Sequence, residues 1–362
     1  MKRKVLAALL TICMTTAMVA GCGSVATMDG AAPSGTSDTA VADTGAAETT
    51  EATDAQAEET SASEAEGSGE DSGLVVAFAQ AEMNNAWRVA ETDSIQSEAE
   101  ARGAKLIYTD AGGDTAKQIS DVEDIINQKP DVIFLVPREF EGVEPALNAA
   151  KDANIPVILV DREAAGTAGE DFTAVVCADF KLEGQECAKK LVERFGEDEE
   201  VNVVQITGTP SSSVAMDRQE GFEAELAKHP NFHIIATQNG EFTRSVAQTA
   251  MENIIQSQGD KIDAVYGHDD ECAIGAIQAL KQAGMKPGED IAIVGIGGFK
   301  DACVSIQNGE MDGTYLCSPW FGPTVMDIAE RIKAGETIET RITNPGYMID
   351  KSNVDEYIPD AF

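Results

Sequence analysis

Val132-Ile133-Phe134-Leu135-Val136 and Pro156-Val157-Ile158-Leu159-Val160 are two runs of five residues with no polar residue inside either. An alternating strand would show one face to water. Continuous runs of this length, ended by turn signals, suit strands buried on both faces of a parallel sheet. Between them, Val143 to Ala153 reads as a helix, the connection that parallel neighbours require. Working outward, Leu74 to Phe78, Lys105 to Tyr108 and Thr173 to Cys177 read as further strands, with helices at Trp87 to Arg102 and Thr115 to Gln128. A helix from Asp179 to Phe195 leads into a second series. Its strands are Val201 to Ile206, Phe232 to Ala236, Asp263 to Tyr266 and Ile291 to Ile296; its helices are Ser213 to Lys228, Thr243 to Gln258, Glu271 to Ala283 and Lys300 to Asn308. Two such series exceed one ordinary domain, so the pattern predicts an α/β protein of two similar lobes. Ligands of doubly wound sheets sit at the carboxyl ends of the strands, which puts a cleft between the lobes.

The 362 residues carry 26 Lys+Arg against 63 Asp+Glu, a net charge of −37. Recognition of a phosphate backbone needs clustered cations, so nucleic acid is excluded as a partner. Lys2, Arg3 and Lys4 precede an apolar stretch from Val5 to Met18, too short to span a bilayer and suited to a signal peptide over residues 1–21. Val19-Ala20-Gly21-Cys22 resembles a lipobox, which predicts lipidation at Cys22. Residues 22–73, dominated by Ser, Thr, Ala, Gly, Asp and Glu, hold 12 acidic side chains and no Lys or Arg. Such a segment predicts a disordered acidic tether, and its length points to a Gram-positive surface rather than a periplasm. Cys177, Cys187, Cys272, Cys303 and Cys317 remain, an odd number without metal-site spacing, read as buried free thiols; oxidation of one pair stays open. His229 and His233 flank Pro230 and read as a loop, so no metal and no cofactor is expected.

The strand ends carry the chemistry. Gln80-Ala81-Glu82-Met83-Asn84-Asn85-Ala86-Trp87-Arg88 places amides, an indole and a guanidinium at a strand-to-helix junction. Indole faces stack on sugar C–H faces, and planar Asn and Arg groups bond adjacent hydroxyls in pairs. A plain structural reading competes, in which Asn85 caps the helix and Trp87 packs beneath it. Asp161-Arg162-Glu163 ends another strand and reads equally as a local ion pair. Gly208-Thr209-Pro210, Glu241-Phe242-Thr243-Arg244 and His268-Asp269-Asp270-Glu271 follow strands of the second series, with Thr243 suited to cap a helix, and Asp217-Arg218 sits on the helix after the first of these.

Ala86-Trp87-Arg88-Val89-Ala90-Glu91-Thr92, Ile155-Pro156-Val157 through Asp161-Arg162, Asp217-Arg218 with Gly221-Phe222, Gly240 to Ser245 and His268 to Leu280 together resemble the type I sugar-binding proteins of ABC importers. Within that family the likeness is to the galactofuranose-binding members and, more distantly, the ribose-binding ones, over essentially all of residues 74–362. The resemblance implies two Rossmann-like lobes joined by three crossing segments: residues 74–178 plus 318–345, and 179–317 plus 346–362. It implies that a monosaccharide is bound by Asn85, Trp87, Arg88, Asp161 and Arg162 from the first lobe and by Arg218, Phe242 and Asp269 from the second. It further implies hinge closure, delivery to a permease with its ATPase, and action as an extracytoplasmic, membrane-anchored monomer whose acidic exterior suits basic permease loops.

Three departures from the family bear on the ligand. Relatives usually carry Asn where Asp269 stands, an Asp in the segment that reads Val294-Gly295-Ile296-Gly297-Gly298, and a polar residue near Cys317. Asp269 is expected to supply the acceptor that position 297 lacks. Galactofuranose is therefore one candidate, and the arginines leave a neutral sugar and a sugar acid equally open. A glycosidase using Asp161 and Asp269 is disfavoured, because neighbouring arginines should hold both ionised and leave no general acid. GxSxG, GxxxxGK[ST] and HExxH motifs are absent from the sequence. A sensor presenting its ligand, such as a furanosyl signal, to a receptor remains an alternative to transport. A repressor would need a helix-turn-helix where the signal and tether stand.

Overall fold

The structure, a computed structural model, describes residues 73–362; the expected signal peptide, Cys22 and the acidic stretch up to residue 72 lie outside the described residues. The first series runs β1 (Val75–Gln80), α1 (Ala86–Ala101), β2 (Lys105–Asp110), α2 (Thr115–Ile126), β3 (Val132–Leu135), α3 (Glu144–Asp152), β4 (Val157–Val160) and β5 (Ala174–Cys177). The second runs α4 (Phe180–Phe195), β6 (Val201–Thr207), α5 (Ser213–Leu226), β7 (Phe232–Asn239), α6 (Arg244–Gln258), β8 (Ala264–Gly267), α7 (Asp270–Gln282), β9 (Ala292–Gly297), α8 (Lys300–Gln307) and β10 (Gly313–Leu316). The chain then returns for α9 (Gly322–Lys333) and β11 (Arg341–Thr343), and crosses again to β12 (Met348–Asp350) and α10 (Val354–Tyr357).

Two six-stranded sheets result, in the orders β11-β5-β4-β3-β1-β2 and β12-β10-β9-β8-β6-β7. The first is wholly parallel, and in the second only β12 runs antiparallel, against β10. β3 and β4 are buried at every position, as continuous apolar runs require. The chain passes between the sheets three times: after β5, after β10 and after β11. This is the two-lobe α/β architecture expected, with β10 to β12, α9 and α10 lying beyond the elements the sequence pattern marks. Strand β7 extends to Asn239, three residues past the expected end, and its register against β6 shifts between Val203 and Val204.

Helix starts follow local chemistry. Asp114, Asp179 and Ser212 accept hydrogen bonds from amides in the first turns of α2, α4 and α5. Thr243 occupies the N-cap position of α6 but does not cap with its side chain; its hydroxyl donates instead to the Glu241 carbonyl at 3.1 Å. Helices α4 and α5 meet at two glycines: a Cβ on Gly184 would lie 2.2 Å from the Arg218 carbonyl oxygen, and one on Gly221 would lie 2.0 Å from that of Lys181. This close crossing brings Arg218 of α5 against Glu183 of α4. All five cysteines in the described residues are free and buried. His229 and His233 engage different glutamates, Glu197 at 2.8 Å and Glu200 at 2.6 Å, and so do not converge.

Candidate ligand-binding site

Asn85, Trp87, Arg88, Asp161, Arg162, Arg218, Phe242 and Asp269 all line one cavity between the lobes. Val214, Ile296, Gly297, Phe299 and Cys317 complete its wall. The carboxyl ends of β1, β4, β8 and β9 feed this wall directly, as the doubly wound topology dictates.

On the first-lobe side, Asn85 has both roles considered for it. Its Oδ1 accepts the Arg88 amide at 3.0 Å and caps α1, while its Nδ2 donates across the cavity rim to the Phe242 carbonyl at 3.2 Å. Trp87 is nearly buried; its Nε1 donates to the Cys317 carbonyl at 2.7 Å, its ring meets Phe321 edge-on, and the Arg88 guanidinium lies 4.8 Å from its centroid. Asp161 and Arg162 do not pair with each other. Asp161 binds Arg88 at 2.7 Å, whereas Arg162 binds Glu82 at 3.0 Å and donates to the Arg138 carbonyl at 2.9 Å. Arg88 also holds Glu91 at 2.8 Å. Burial opposes the Arg88 charge, but Asp161 and Glu91 outweigh it and raise its pKa. Burial lowers that of Arg162 to about 10, with Arg88 adding repulsion.

On the second-lobe side, Arg218 binds Glu183 at 2.8 Å and donates to the His268 carbonyl at 2.7 Å. The Phe242 ring lies between guanidiniums of opposite lobes, 6.0 Å from Arg162 and 5.9 Å from Arg218. Gly208 makes that position possible, since a Cβ there would sit 1.9 Å from the ring. Asp269 caps α7 through a 2.8 Å hydrogen bond from the Cys272 amide. Burial raises its pKa to about 6, with Arg218 the weakest of the opposing influences. Arg218 thus does little to hold the Asp269 charge, being committed to Glu183, and burial raises the carboxyl, which stays largely ionised at neutral pH. Asp270 accepts from the amides of Gly298 and Phe299 at 2.8 and 2.9 Å, fixing the turn beside Gly297.

Around the rim the lobes touch where the Phe140 amide donates a hydrogen bond to the Ser211 carbonyl and the Glu163 amide donates one to the Ser213 hydroxyl, both 2.8 Å, and through Arg138 and Glu241 at 4.0 Å. Asp161, Ser211, Glu241 and Phe242 all have φ between +52° and +62°. Such backbone costs about 1–3 kcal/mol per residue and concentrates where function needs it.

Sequence reasoning passed over Glu82, Glu91 and Glu183, the carboxylates that orient the arginines. Glu91 stands three residues after Arg88 on one helix face, a detectable spacing. Glu183 lies 35 positions from Arg218 and leaves no local trace.

Two α/β lobes, three passages between them and one cavity that sets buried charged side chains among aromatic and apolar ones from both sides define a two-lobed solute-binding protein. The chain belongs to the periplasmic binding protein family, whose domain matches residues 76–337. It is 37% identical to the galactofuranose-binding protein YtfQ of Escherichia coli strain K12, over 80% of this chain and 89% of that one. It is 30% identical to the ribose import binding protein RbsB of Bacillus subtilis strain 168, over 77% and 88%. A Mycobacterium smegmatis structure in complex with β-D-fucofuranose superposes with a TM-score of 0.76 at 35% identity, covering 79% of this chain and 94% of that one.

Proposed function

We propose that this chain is a lipid-anchored solute-binding protein that captures a monosaccharide, held in a furanose ring, by hinge closure and hands it unaltered to an ABC permease. Cys22 carries the anchor, and the protein acts as a monomer outside the cell membrane. The carrying observation is that eight residues, from the segments after β1, β4, β7 and β8 and from α5, line one cavity from both lobes, with each of its arginines held by its own carboxylate. Guanidiniums already matched by carboxylates offer directed donors without excess positive charge, which favours sugar hydroxyls over the carboxylate of a sugar acid. Relatives whose names state galactofuranose and ribose, and a neighbour with bound fucofuranose, support the sugar and the ring form.

Titration calorimetry with D-galactose, L-arabinose, D-ribose and D-galacturonate tests the ligand, and 13C NMR of the bound sugar tests the ring. Binding of a neutral sugar with an anomeric carbon in the furanose range is expected. Heat only with the sugar acid, or a bound pyranose, would overturn the corresponding part of the reading. Palmitate labelling that persists in Cys22→Ala would remove the anchor.

A further inference from the structure

The charges around the cavity do not balance. Arg88 faces both Asp161 and Glu91, Arg162 faces Glu82, and Arg218 faces Glu183, so four carboxylates meet three guanidiniums before Asp269 is counted. Arg138 approaches Glu82 to 3.7 Å but brings a further carboxylate, Glu241, at 4.0 Å. Asp269 lines the cavity and has no cationic side chain within ion-pairing distance among the described residues; one of its oxygens is taken by the Cys272 amide. The groups around it do not supply the missing charge. Asp270 on α7 is acidic, Glu271 is matched by Arg244 of α6, which also holds Asp301, His268 before it is held neutral by burial with a pKa of about 3, and Arg218 on α5 is committed to Glu183. Of the two carboxylates that line the cavity, Asp161 has Arg88 as its partner and Asp269, on the second-lobe wall, has no paired cation among the described residues.

We infer that Asp269 selects a sugar bearing an amino group, an aminodeoxy monosaccharide whose ammonium pairs with the Asp269 carboxylate while its hydroxyls engage the arginines. The inference rests on the sugar-binding reading above and narrows its ligand class. The ammonium is the cation this wall lacks, and a charge-assisted hydrogen bond in a buried site is the strong kind. The raised Asp269 pKa agrees with a carboxylate awaiting its counter-ion.

The test is calorimetry at pH 7 with D-galactose and D-glucose, their 2-, 3- and 6-aminodeoxy derivatives and the N-acetyl forms. At least one amino sugar is expected to bind roughly tenfold or more tighter than its parent, with N-acetylation abolishing the gain. Asp269→Asn, which keeps the α7 cap and the side-chain shape, should bring amino and parent sugars to similar affinity. In the unaltered protein, binding near pH 6 should release protons, seen as a heat that depends on buffer ionisation enthalpy. At pH 5, where Asp269 is protonated before binding, the preference should shrink. Parent sugars binding as tightly as every amino derivative would overturn this inference and leave sugar capture standing. A preference that survives in Asp269→Asn would overturn the role of Asp269. Absence of binding by every sugar would sink the sugar-binding reading itself.

Discussion

In the first lobe the ion pairs are shared in two small lattices, Arg88 between Asp161 and Glu91, and Glu82 between Arg162 and Arg138, whereas in the second lobe Arg218 has the single carboxylate Glu183 and Asp269 has no paired cation among the described residues. A lattice can redistribute when one member is lost; a lone buried pair cannot. The comparison teaches that the first-lobe wall is a fixed frame for hydroxyl recognition and the second-lobe wall is where one residue resets the ligand. It also predicts that damage to the second lobe costs more than damage to the first.

The largest expected effect is at Arg218. Arg218→Ala leaves Glu183 buried without its partner, which should cost about 3–5 kcal/mol in urea unfolding and eliminate the ligand-induced thermal shift. Pairing Arg218→Met with Glu183→Gln should restore most of the stability without restoring the shift. A ligand shift of ordinary size in either variant would remove Arg218 from the site.

Next comes pH. Burial raises Asp270 to about 7 and Asp269 to about 6 in the folded protein, both above their ordinary value of 3.8. A carboxyl with a raised folded pKa contributes stability that is present below its unfolded pKa and lost as pH rises through the folded value. Lowering pH from 8 to 5 should therefore raise the Tm of the ligand-free protein by several degrees. Relief of net negative charge acts on all variants alike, so a shallower slope in Asp270→Asn isolates this residue; an unchanged slope would contradict its assignment.

Gly208→Ala tests the seat of Phe242. The added methyl meets the ring at 1.9 Å, so the ring must leave its place between the two arginines. Overpacking of this kind costs about 1–3 kcal/mol, and sugar affinity should fall at least tenfold. Retained affinity would mean that Phe242 is only a filler.

The smallest effect is expected in the first lobe. Arg138→Gln removes a 4.0 Å contact to Glu241, whose side chain is substantially exposed, and one of two cations on Glu82. A stability change of about 1 kcal/mol or less should follow, with affinity within a few-fold of the parent. A loss comparable to that of Arg218→Ala would erase the contrast between the walls.

Much of the fold was legible because β3, β4, β8 and β9 consist largely of apolar residues, and burial on both sheet faces leaves that mark in the sequence. β11 and β12 have three residues each with only partial burial, too little pattern to register. The site was legible where side chains follow strand ends, as Trp87, Arg162 and Phe242 do. It was illegible where long-range packing decides the partner. Asp161 beside Arg162 reads as a pair, yet the positive φ of Asp161 turns the two side chains to different partners. Asp269 reads as held by a neighbouring arginine, yet the α4–α5 glycine crossing delivers Glu183 to Arg218 instead.

The first sheet takes its last strand from residues 341–343, where Arg341 aligns with Val175 of β5, after the whole second series has been made. A chain emerging amino end first from a ribosome or translocon thus carries β5 as an open edge while some 160 further residues are synthesised, and open edges invite mispairing. Neither half can be cut out as one uninterrupted gene fragment. A working half-molecule would need its tail strand re-spliced beside β5 or β10, and simple truncation should yield aggregates rather than a smaller binder.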